Sequence, residues 1–432
     1  MSASASKKLS LVSAIFINLN VMIGTGIFVN TYLLSARAGA AGFLLYPLVG
    51  LCMLPLIAIT GRLLNYYPTG GLYAFAKEHS AYLGFLSCWS YFFAKLASCA
   101  LMLFVATTLF QQLIPGATAI NPLMMCLGLL SFFTFLNLLN MKLGMVIHSF
   151  FLTAKSIPII FAIISGFLLF DTSGITTSSF VFSGMIINIP LVLYCLAGFE
   201  TACSLSRNIE NPSINGPKAV YYSFGIIMAL YGLFQGLIYM STYEQLASLT
   251  SYQEIFPSIA HTLFSSEFIA NKLSIILSFA IGSSALGGAY GILFSNSWNL
   301  YTLAENNHLI GSSVITKLNQ HNTPYVAVLA EAIICAMFLL FNQGSQLPLQ
   351  RTAALGIVIA YTISALSYFL LLKKVGGSHK DFMISTAAFV TCTIFVANCM
   401  VSFCETGLAP LLLFIGILAI GSCMFMYKQL TK

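Results

Sequence analysis

The sequence predicts an all-α membrane protein with twelve transmembrane helices, and three observations support this fold class. Of the 432 residues, 59% are hydrophobic and only 7% are charged, with a mean hydropathy of +0.92. Soluble domains contain about 25% charged residues, because charge must cover a surface that faces water. The apolar residues fall in runs of about 20, the length that a helix needs to cross a bilayer. These runs lack the alternation of a β-barrel, and backbone groups in lipid must then be satisfied within helices.

Twelve apolar segments are predicted to span the membrane, and together they form one polytopic domain over residues 1–432. No long polar stretch separates them that could fold as a soluble domain. The first segment follows two lysines but is too long for the apolar core of a signal peptide, so we expect it to be retained. The predicted spans are 11–33, 40–62, 82–113, 121–140, 145–170, 184–206, 217–241, 268–300, 323–341, 351–373, 381–401 and 407–427.

The distribution of basic residues predicts the orientation of these spans. With a cytoplasmic N-terminus, most of the 18 Lys and Arg residues fall in cytoplasmic segments. The outer loops contain Arg37, Lys272 and Arg351, whereas Lys95 and Lys155 lie inside spans. Cytoplasmic loops of membrane proteins are enriched in Lys and Arg. We therefore expect the protein to lie in the cell membrane (the cytoplasmic or inner membrane), with both termini in the cytoplasm. The asymmetry also explains the formal charge of +7 without a nucleic-acid partner.

Two of the predicted spans contain segments that do not suit a continuous helix. Residues 21–28 read VMIGTGIF and residues 196–202 read LAGFETA. Glycine weakens a helix, and a broken helix at membrane depth is tolerated where it lines a cavity or is buried in protein. Gly24 and Gly198 are 174 positions apart, each in the first helix of a possible five-helix unit. This spacing favours an inverted-repeat transporter with a site at mid-membrane, although tight glycine packing is the alternative. The predicted units are repeat one at about 11–170, repeat two at about 184–373 and accessory helices at about 381–427.

Further motifs recur in order along the chain. They are GTGIF at 24–28; PTGGLY at 68–73 with GF at 84–85 and Trp89; GFE at 198–200 with ENP at 210–212 and PKA at 217–219; and LYTLA at 300–304 with TP at 323–324. These motifs resemble those of the amino acid–polyamine–organocation (APC) superfamily of permeases, from the first helix to the loop into helix 9. One position and one short run depart from the family's pattern: Asn299 stands where Arg is frequent, and ENN at 305–307 stands where an Arg-Asp-Gly run is frequent.

The resemblance implies a leucine-transporter-like fold, with a 5+5 inverted repeat followed by two C-terminal helices. It also implies secondary active transport of amino acids or related amines by alternating access, with the substrate held between helices 1 and 6. Free amides at a helix N-terminus suit a carboxylate, which assigns Thr25, Gly26 and Ile27 to the substrate's α-carboxylate. Tyr194 stands where related carriers have an aromatic lid, with core packing as its alternative role. Carbonyls at the breaks are expected to face the α-amine, namely those of Met22, Ile23, Ala197 and Phe199.

Lys155 lies near the middle of helix 5, where a charged lysine costs about 2.5–3.5 kcal/mol on insertion scales. The TAK run at 153–155 resembles permeases whose helix-5 lysine occupies the place of the second sodium site. We expect it to reach helix 1 near Gly24, and Ser283 or Ser284 on helix 8. Two interpretations stay open: a proton-coupling residue, or a fixed structural cation of an exchanger. Sodium drive is not expected under either.

Lys95 lies on a polar stripe of helix 3 with helical spacing. In the resembled fold this face borders the substrate's side chain, where a lysine would repel cationic substrates. The alternative is a salt bridge with Glu200, beside the break in helix 6. Glu200 itself is predicted either to couple helix 6 to gating or to bond exposed backbone amides. The stripe consists of Ser87, Tyr91, Lys95, Ser98 and Met102.

Other functional classes find less support in the sequence. An embedded enzyme would need a nucleophile–base pair, a metal set or paired carboxylates, and neither HExxH nor GxSxG occurs. A channel usually has a repeated filter, which is absent. The eleven cysteines lack a CxxC pair, which predicts packing residues rather than a metal site. We expect no catalytic residues, cofactor or metal, and as partners a small-molecule substrate, protons and membrane lipid. The amino acid carried, the choice between symport and exchange, and the oligomeric state are left open.

Overall fold

The computed structural model describes residues 8–69, 71–139, 141–176, 180–246, 248–342 and 345–431, without the side chains of 141, 142 and 406. Gly70 of the PTGGLY motif and Lys7, one of the two lysines before the first predicted span, lie outside this part of the chain.

The described part of the chain is helical and contains 17 α-helices, numbered here in chain order. They are α1 Leu11–Met22, α2 Gly26–Ala38, α3 Gly42–Tyr66, α4 Gly71–Lys77, α5 Ala81–Leu113, α6 Pro122–Asn137, α7 Met141–Leu168, α8 Phe182–Leu196, α9 Thr201–Ser204, α10 Pro212–Thr242, α11 Ile255–Leu263, α12 Glu267–Glu305, α13 Ser312–Ile315, α14 Tyr325–Asn342, α15 Gln346–Val375, α16 His379–Thr406 and α17 Ala409–Leu430.

Nine helices of the described chain are long and apolar enough to cross a membrane. A tenth span results if α1 and α2, which meet at a 42° bend, count as one broken helix. The two remaining predicted spans coincide with shorter apolar helices, α6 and the α8 part of helix 6. The long helices are α3, α5, α7, α10, α12, α14, α15, α16 and α17. An all-helical fold with nine to ten candidate spans is thus confirmed.

Side-chain caps explain where several helices begin. Ser10 accepts a hydrogen bond from the Ser13 amide at the start of α1, and Ser80 does the same for Leu83 at the start of α5. Asn121 caps α6, and the proline that follows it occupies the first turn. Serine and asparagine at this position satisfy an amide that has no partner within the helix, and a proline in the first turn has no amide hydrogen of its own that would need a partner.

Helices α5 and α12 form the centre of the fold, around which the site is arranged. In α5, 94% of the most apolar stretch is buried, and in α12 the figure is 72%. An apolar helix that is buried on all sides belongs in the interior of a large protein. By contrast, only 22% of the corresponding stretch of α17 is buried. Its exposed apolar side chains are suited to lipid.

Two segments outside the predicted spans contact the broken helices: residues 249–263, between α10 and α12, and Leu9, before α1. At one end, the Tyr32 hydroxyl of α2 donates to the Leu249 carbonyl (3.1 Å), and Phe28 of α2 packs edge-on against Phe256 of α11. At the other end, Leu9 forms a parallel bridge with Ile209. The sequence analysis predicted neither contact, because both join segments far apart in the chain.

Arg37 and Arg351, predicted on the outer side, lie near the end of α2 and the start of α15. Both pair with Glu405 at the end of α16; the Arg37 Nη1–Glu405 Oε2 distance is 3.3 Å. Arg351 is only 1% exposed. Burial of the Arg351 guanidinium is tolerated because the Glu405 carboxylate pairs with it.

Candidate functional site

The break in helix 1 covers residues 23–25. Helix α1 ends at Met22, and α2 starts at Gly26. A Cβ atom at Gly26 would lie 2.6 Å from the Cys195 sulfur of α8, a distance that real Cβ atoms do not reach. Glycine here lets the start of α2 pack directly against α8.

The break in helix 6 lies between Leu196, the end of α8, and Thr201, the start of α9. Gly198 has a φ of +122°, a backbone conformation that residues with a side chain rarely adopt. Its position also leaves no room for a Cβ, which would be 2.8 Å from Cγ of Met22. The two breaks therefore pack against each other.

Asn18 joins the two breaks and was missed by the sequence analysis. Its Nδ2 donates to the Phe199 carbonyl (2.7 Å), and its Oδ1 accepts from the Ala202 amide (2.9 Å). This fully buried side chain of α1 thereby satisfies an acceptor and a donor that the unwound helix 6 leaves open. The available signal was an asparagine about one turn before the helix 1 break, inside an apolar helix.

Lys155 of α7 is fully buried and lies against the end of α1. Its Nζ donates to the carbonyls of Asn20 (2.8 Å) and Ile23. The Ser284 hydroxyl donates to the Ile23 and Gly24 carbonyls at 3.2 and 3.3 Å. The described residues provide no ion pair for Lys155; instead its ammonium lies at a helix C-terminus, where the helix dipole is negative. This contact also fixes the position of the helix 1 break.

The carbonyls expected to face an amine differ in their availability. Those of Ile23 and Phe199 accept the hydrogen bonds described above, and that of Met22 accepts one from the Tyr231 hydroxyl (2.7 Å). No such bond to the Ala197 carbonyl occurs among the described residues. Ala197 therefore has the most available acceptor of the four.

The first turn of α2 provides the expected donors. The amides of Phe28 and Val29 bond back to the Thr25 carbonyl at 3.1 and 3.0 Å. Those of Thr25, Gly26 and Ile27 precede them and have no carbonyl behind them in the helix. The N-terminus of α2 therefore presents amide donors and partial positive charge to the space beside it.

A small cavity borders both breaks. Among the predicted site residues, its lining includes Met22, Gly24, Gly26, Lys95, Tyr194 and Ala197. Its volume is about 10 Å³, close to the minimum for one water molecule. An amino acid does not fit, so this conformation of the site is contracted.

Tyr194 places a polar group at this cavity. Its hydroxyl faces those of Thr25 and Ser98, yet neither Tyr194 nor Thr25 completes a hydrogen bond of normal geometry within the described chain. Buried hydroxyls normally have partners. The cavity thus contains hydrogen-bonding capacity that a polar ligand can use.

Lys95 and Glu200 form the salt bridge that the sequence analysis gave as the alternative for Lys95, with Nζ and Oε1 2.9 Å apart. The carboxylate also accepts from the hydroxyls of Tyr91 (2.9 Å) and Tyr361 (2.7 Å) and from the Gly198 amide (2.8 Å). Glu200 is fully buried and Lys95 is 4% exposed. This network ties the helix 6 break to α5 and α15.

Several predicted residues lie beside the cavity rather than on it. Ile27 and Phe199 are fully buried, and Phe199 stacks on Tyr361 at 5.4 Å. Ser283 is buried, but the described hydrogen bonds to the helix 1 break come from Ser284. These positions shape the site without lining it in this conformation.

The residues that depart from the resembled family's pattern make contacts of their own. Glu305 pairs with Arg207 (2.9 Å), and Asn306 accepts from Lys77 (2.9 Å). These pairs connect the ends of α12, α4 and helix 6. These pairs lie at the same end of the fold as the bridge between Leu9 and Ile209.

Comparison with known proteins identifies the family. A sequence profile of the amino acid permeases matches residues 9–426. The chain belongs to this amino acid permease family. This permease is accordingly a multi-pass membrane protein and a transporter rather than an enzyme.

The permease is 24% identical over 364 residues to the aromatic amino acid transport protein AroP of Escherichia coli (strain K12) and to AroP of Shigella flexneri, covering 80% of this chain and 75% of each relative. It is 26% identical over 348 residues to the uncharacterized transporter YdgF of Bacillus subtilis (strain 168), covering 74% of this chain and 71% of that protein.

Proposed function

We propose that this permease is a sodium-independent secondary active transporter that moves zwitterionic amino acids across the cell membrane by alternating access. The observation on which the proposal rests is the pair of unwound segments that contact each other and border one small cavity. Among the amide donors at the start of α2, that of Gly26 belongs to a residue lining the cavity, and those of Thr25 and Ile27 flank it; Ala197, whose carbonyl is free within the described chain, also lines the cavity. One end binds a carboxylate and the other an ammonium group, so the site selects a zwitterion.

The remaining walls of the cavity favour an apolar side chain. They include Val21, Met102, Ile292 and Ile357. Lys95 also lines the cavity, but its pairing with Glu200 leaves the two groups with no net charge. Neither cationic nor anionic side chains gain a partner there. Because AroP proteins transport aromatic amino acids by name, phenylalanine, tyrosine and tryptophan are the first substrates to test.

Lys155 supports the absence of sodium coupling and suggests a route for protons. A cation already contacts the carbonyls at the end of α1. In the proposed cycle, loss of the Lys155 proton weakens these contacts and releases helix 1, and reprotonation restores them. The coupled ion is then a proton that moves with the substrate.

Exchange of one amino acid for another is the second candidate function. It is favoured by the two carbonyls that accept from Lys155, because their partial negative charges at the end of α1 stabilise the ammonium form. If this ammonium stays charged throughout, it is a fixed structural cation, and movement requires a substrate in each direction.

The proposed architecture has twelve spans, with α6 and the α8–α9 helix crossing the membrane as well. The first five spans and the next five form an inverted repeat, and α16 and α17 follow. The breaks in the first and sixth spans support this arrangement. Both termini face the cytoplasm in the proposed topology, in accord with the distribution of Lys and Arg.

Uptake into proteoliposomes tests the proposal. Purified permease is reconstituted and offered a panel of radiolabelled amino acids, with and without a pH gradient, internal substrate or sodium. We expect accumulation of aromatic amino acids driven by an inward proton gradient and unaffected by sodium. Uptake that requires internal substrate but no pH gradient would favour exchange. No uptake of any amino acid under any of these conditions would refute the proposed function.

A further inference from the structure

A second, larger cavity lies at the end of the fold where Arg207 follows the broken helix 6. Its volume is about 300 Å³, the lower end of the range for ligand pockets. We call it the Arg207 cavity; its lining includes Asn137, Arg207, Asn208, Phe294, Trp298 and Val328. None of these residues lines the small cavity at the two helix breaks, here called the central cavity or central site.

Asn137 gives the first indication that this cavity binds a ligand. It is the last residue of α6 and only 5% exposed, yet neither atom of its amide has a hydrogen-bond partner in the described chain. The backbone beside it is satisfied, since Asn319 donates to the Leu138 carbonyl at 2.7 Å. Each unsatisfied buried polar group costs about 1–3 kcal/mol. A ligand that bonds the Asn137 amide would remove this cost.

The charges around the cavity define the polar part of the ligand. Arg207 donates to Glu305 through Nη2 (2.9 Å), which leaves other guanidinium donors for a carboxylate. Oδ1 of Asn137 can accept from an ammonium group; the Glu305 carboxylate, 45% exposed, lies next to Arg207 but outside the lining of the cavity. Donors and acceptors at one place suit a zwitterion. A phosphate would meet one guanidinium and the repulsion of Glu305.

The apolar walls define the rest of the ligand. Phe294, Trp298, Leu318 and Val328 line the cavity, and the Trp298 ring also lies 5.9 Å from the Arg207 guanidinium carbon. A flat or branched apolar side chain packs well between such walls.

We propose that the Arg207 cavity is a second amino acid site, in which the substrate binds after release from the central site. The identity of the ligand rests on the proposed function. An occupant contacts α6, α12 and the end of helix 6 together, and it holds helix 6 against its neighbours. Amino acid that accumulates on this side of the membrane therefore slows further transport.

Isothermal titration calorimetry of the purified full-length permease tests the proposal. The probe is the amino acid with the highest uptake in the panel, expected to be L-phenylalanine. We expect two molecules bound per chain in the wild type and one in Asn137→Leu. The matched control is Asn342→Leu, which removes an asparagine from the end of another helix, α14. Among the described residues, the Asn342 side chain bonds only to the Phe338 carbonyl of the same helix, so this variant should keep two.

Photolabelling of the wild type keeps the test independent of variant folding. A photoreactive analogue of the same amino acid should label peptides of residues 294–301 or 318–328 as well as the central site. One bound molecule per chain, with labelling confined to the central site, would overturn the second site and leave the proposed function intact. If none of the twenty amino acids binds, both proposals fail.

Discussion

The buried ion pair between Lys95 and Glu200 leads to a prediction whose size follows from its surroundings. Lys95→Met removes the cation and leaves a carboxylate that is fully buried. Breaking a buried ion pair in this way costs about 3–5 kcal/mol. The hydroxyls of Tyr91 and Tyr361 and the Gly198 amide still donate to Glu200. Because these three hydrogen bonds remain, we expect the unfolding free energy to fall by about 3 kcal/mol, the lower end of that range.

The double variant Lys95→Met/Glu200→Gln measures the interaction between the two residues separately from the contribution of each residue alone. Glutamine keeps the size of the side chain and removes the unpaired charge. We therefore expect the double variant to recover most of the stability lost in Lys95→Met, with a coupling of about 1–3 kcal/mol between the two positions.

Equilibrium unfolding of the purified variants in mixed detergent micelles measures these free energies. Lys95→Arg, which keeps the charge, is the matched control and should stay closer to the wild type than Lys95→Met. The reasoning is refuted if Lys95→Met loses less than about 0.5 kcal/mol, the range of ordinary surface substitutions. It is also refuted if the double variant is less stable than Lys95→Met.

Three further predictions concern the helix breaks and can be checked in proteoliposomes or by unfolding. Lys155→Ala should abolish the pH dependence of transport, and an active variant with an unchanged pH profile would reject proton coupling through this residue. Asn18→Leu leaves the Phe199 carbonyl and the Ala202 amide without partners, which should cost about 2–6 kcal/mol of unfolding free energy; a loss under about 0.5 kcal/mol would contradict the bridging role. Gly198→Ala introduces a Cβ at a positive φ and against Met22, so transport should fall at least about tenfold, equivalent to about 1.4 kcal/mol, whereas Gly225→Ala, a helix position with open space, should transport normally.

Much of the fold could be predicted because its signals are local. Runs of apolar residues mark the long helices by composition alone. The glycines at 24, 26 and 198 marked the two places where helices break. A lysine in the middle of an apolar helix had to find partners inside the protein, and in the structure Lys155 contacts the end of α1.

The rest could not be predicted because it depends on contacts between distant segments. Asn18 and Phe199 are 181 positions apart, and no local pattern pairs them. Tyr361 contacts Glu200 only because α15 packs beside the helix 6 break. The Arg207 cavity forms where the end of α6 meets α12 and the segment before α14, and its unpartnered Asn137 is recognisable only when those neighbours are known.

Competition for uptake by altered substrates tests the central claim most directly, namely that backbone groups at the two breaks bind both charged ends of the substrate. L-Phenylalanine methyl ester lacks the carboxylate, and 3-phenylpropionate lacks the amine, while both keep the aromatic ring. Each lost hydrogen bond to a charged group is worth about 1.5–3 kcal/mol, so the loss of even one bond weakens binding by at least about tenfold. We therefore expect either compound to inhibit uptake of labelled L-phenylalanine only at concentrations at least about tenfold above those of the unlabelled amino acid. Inhibition by either compound at the same concentration as L-phenylalanine would contradict the claim.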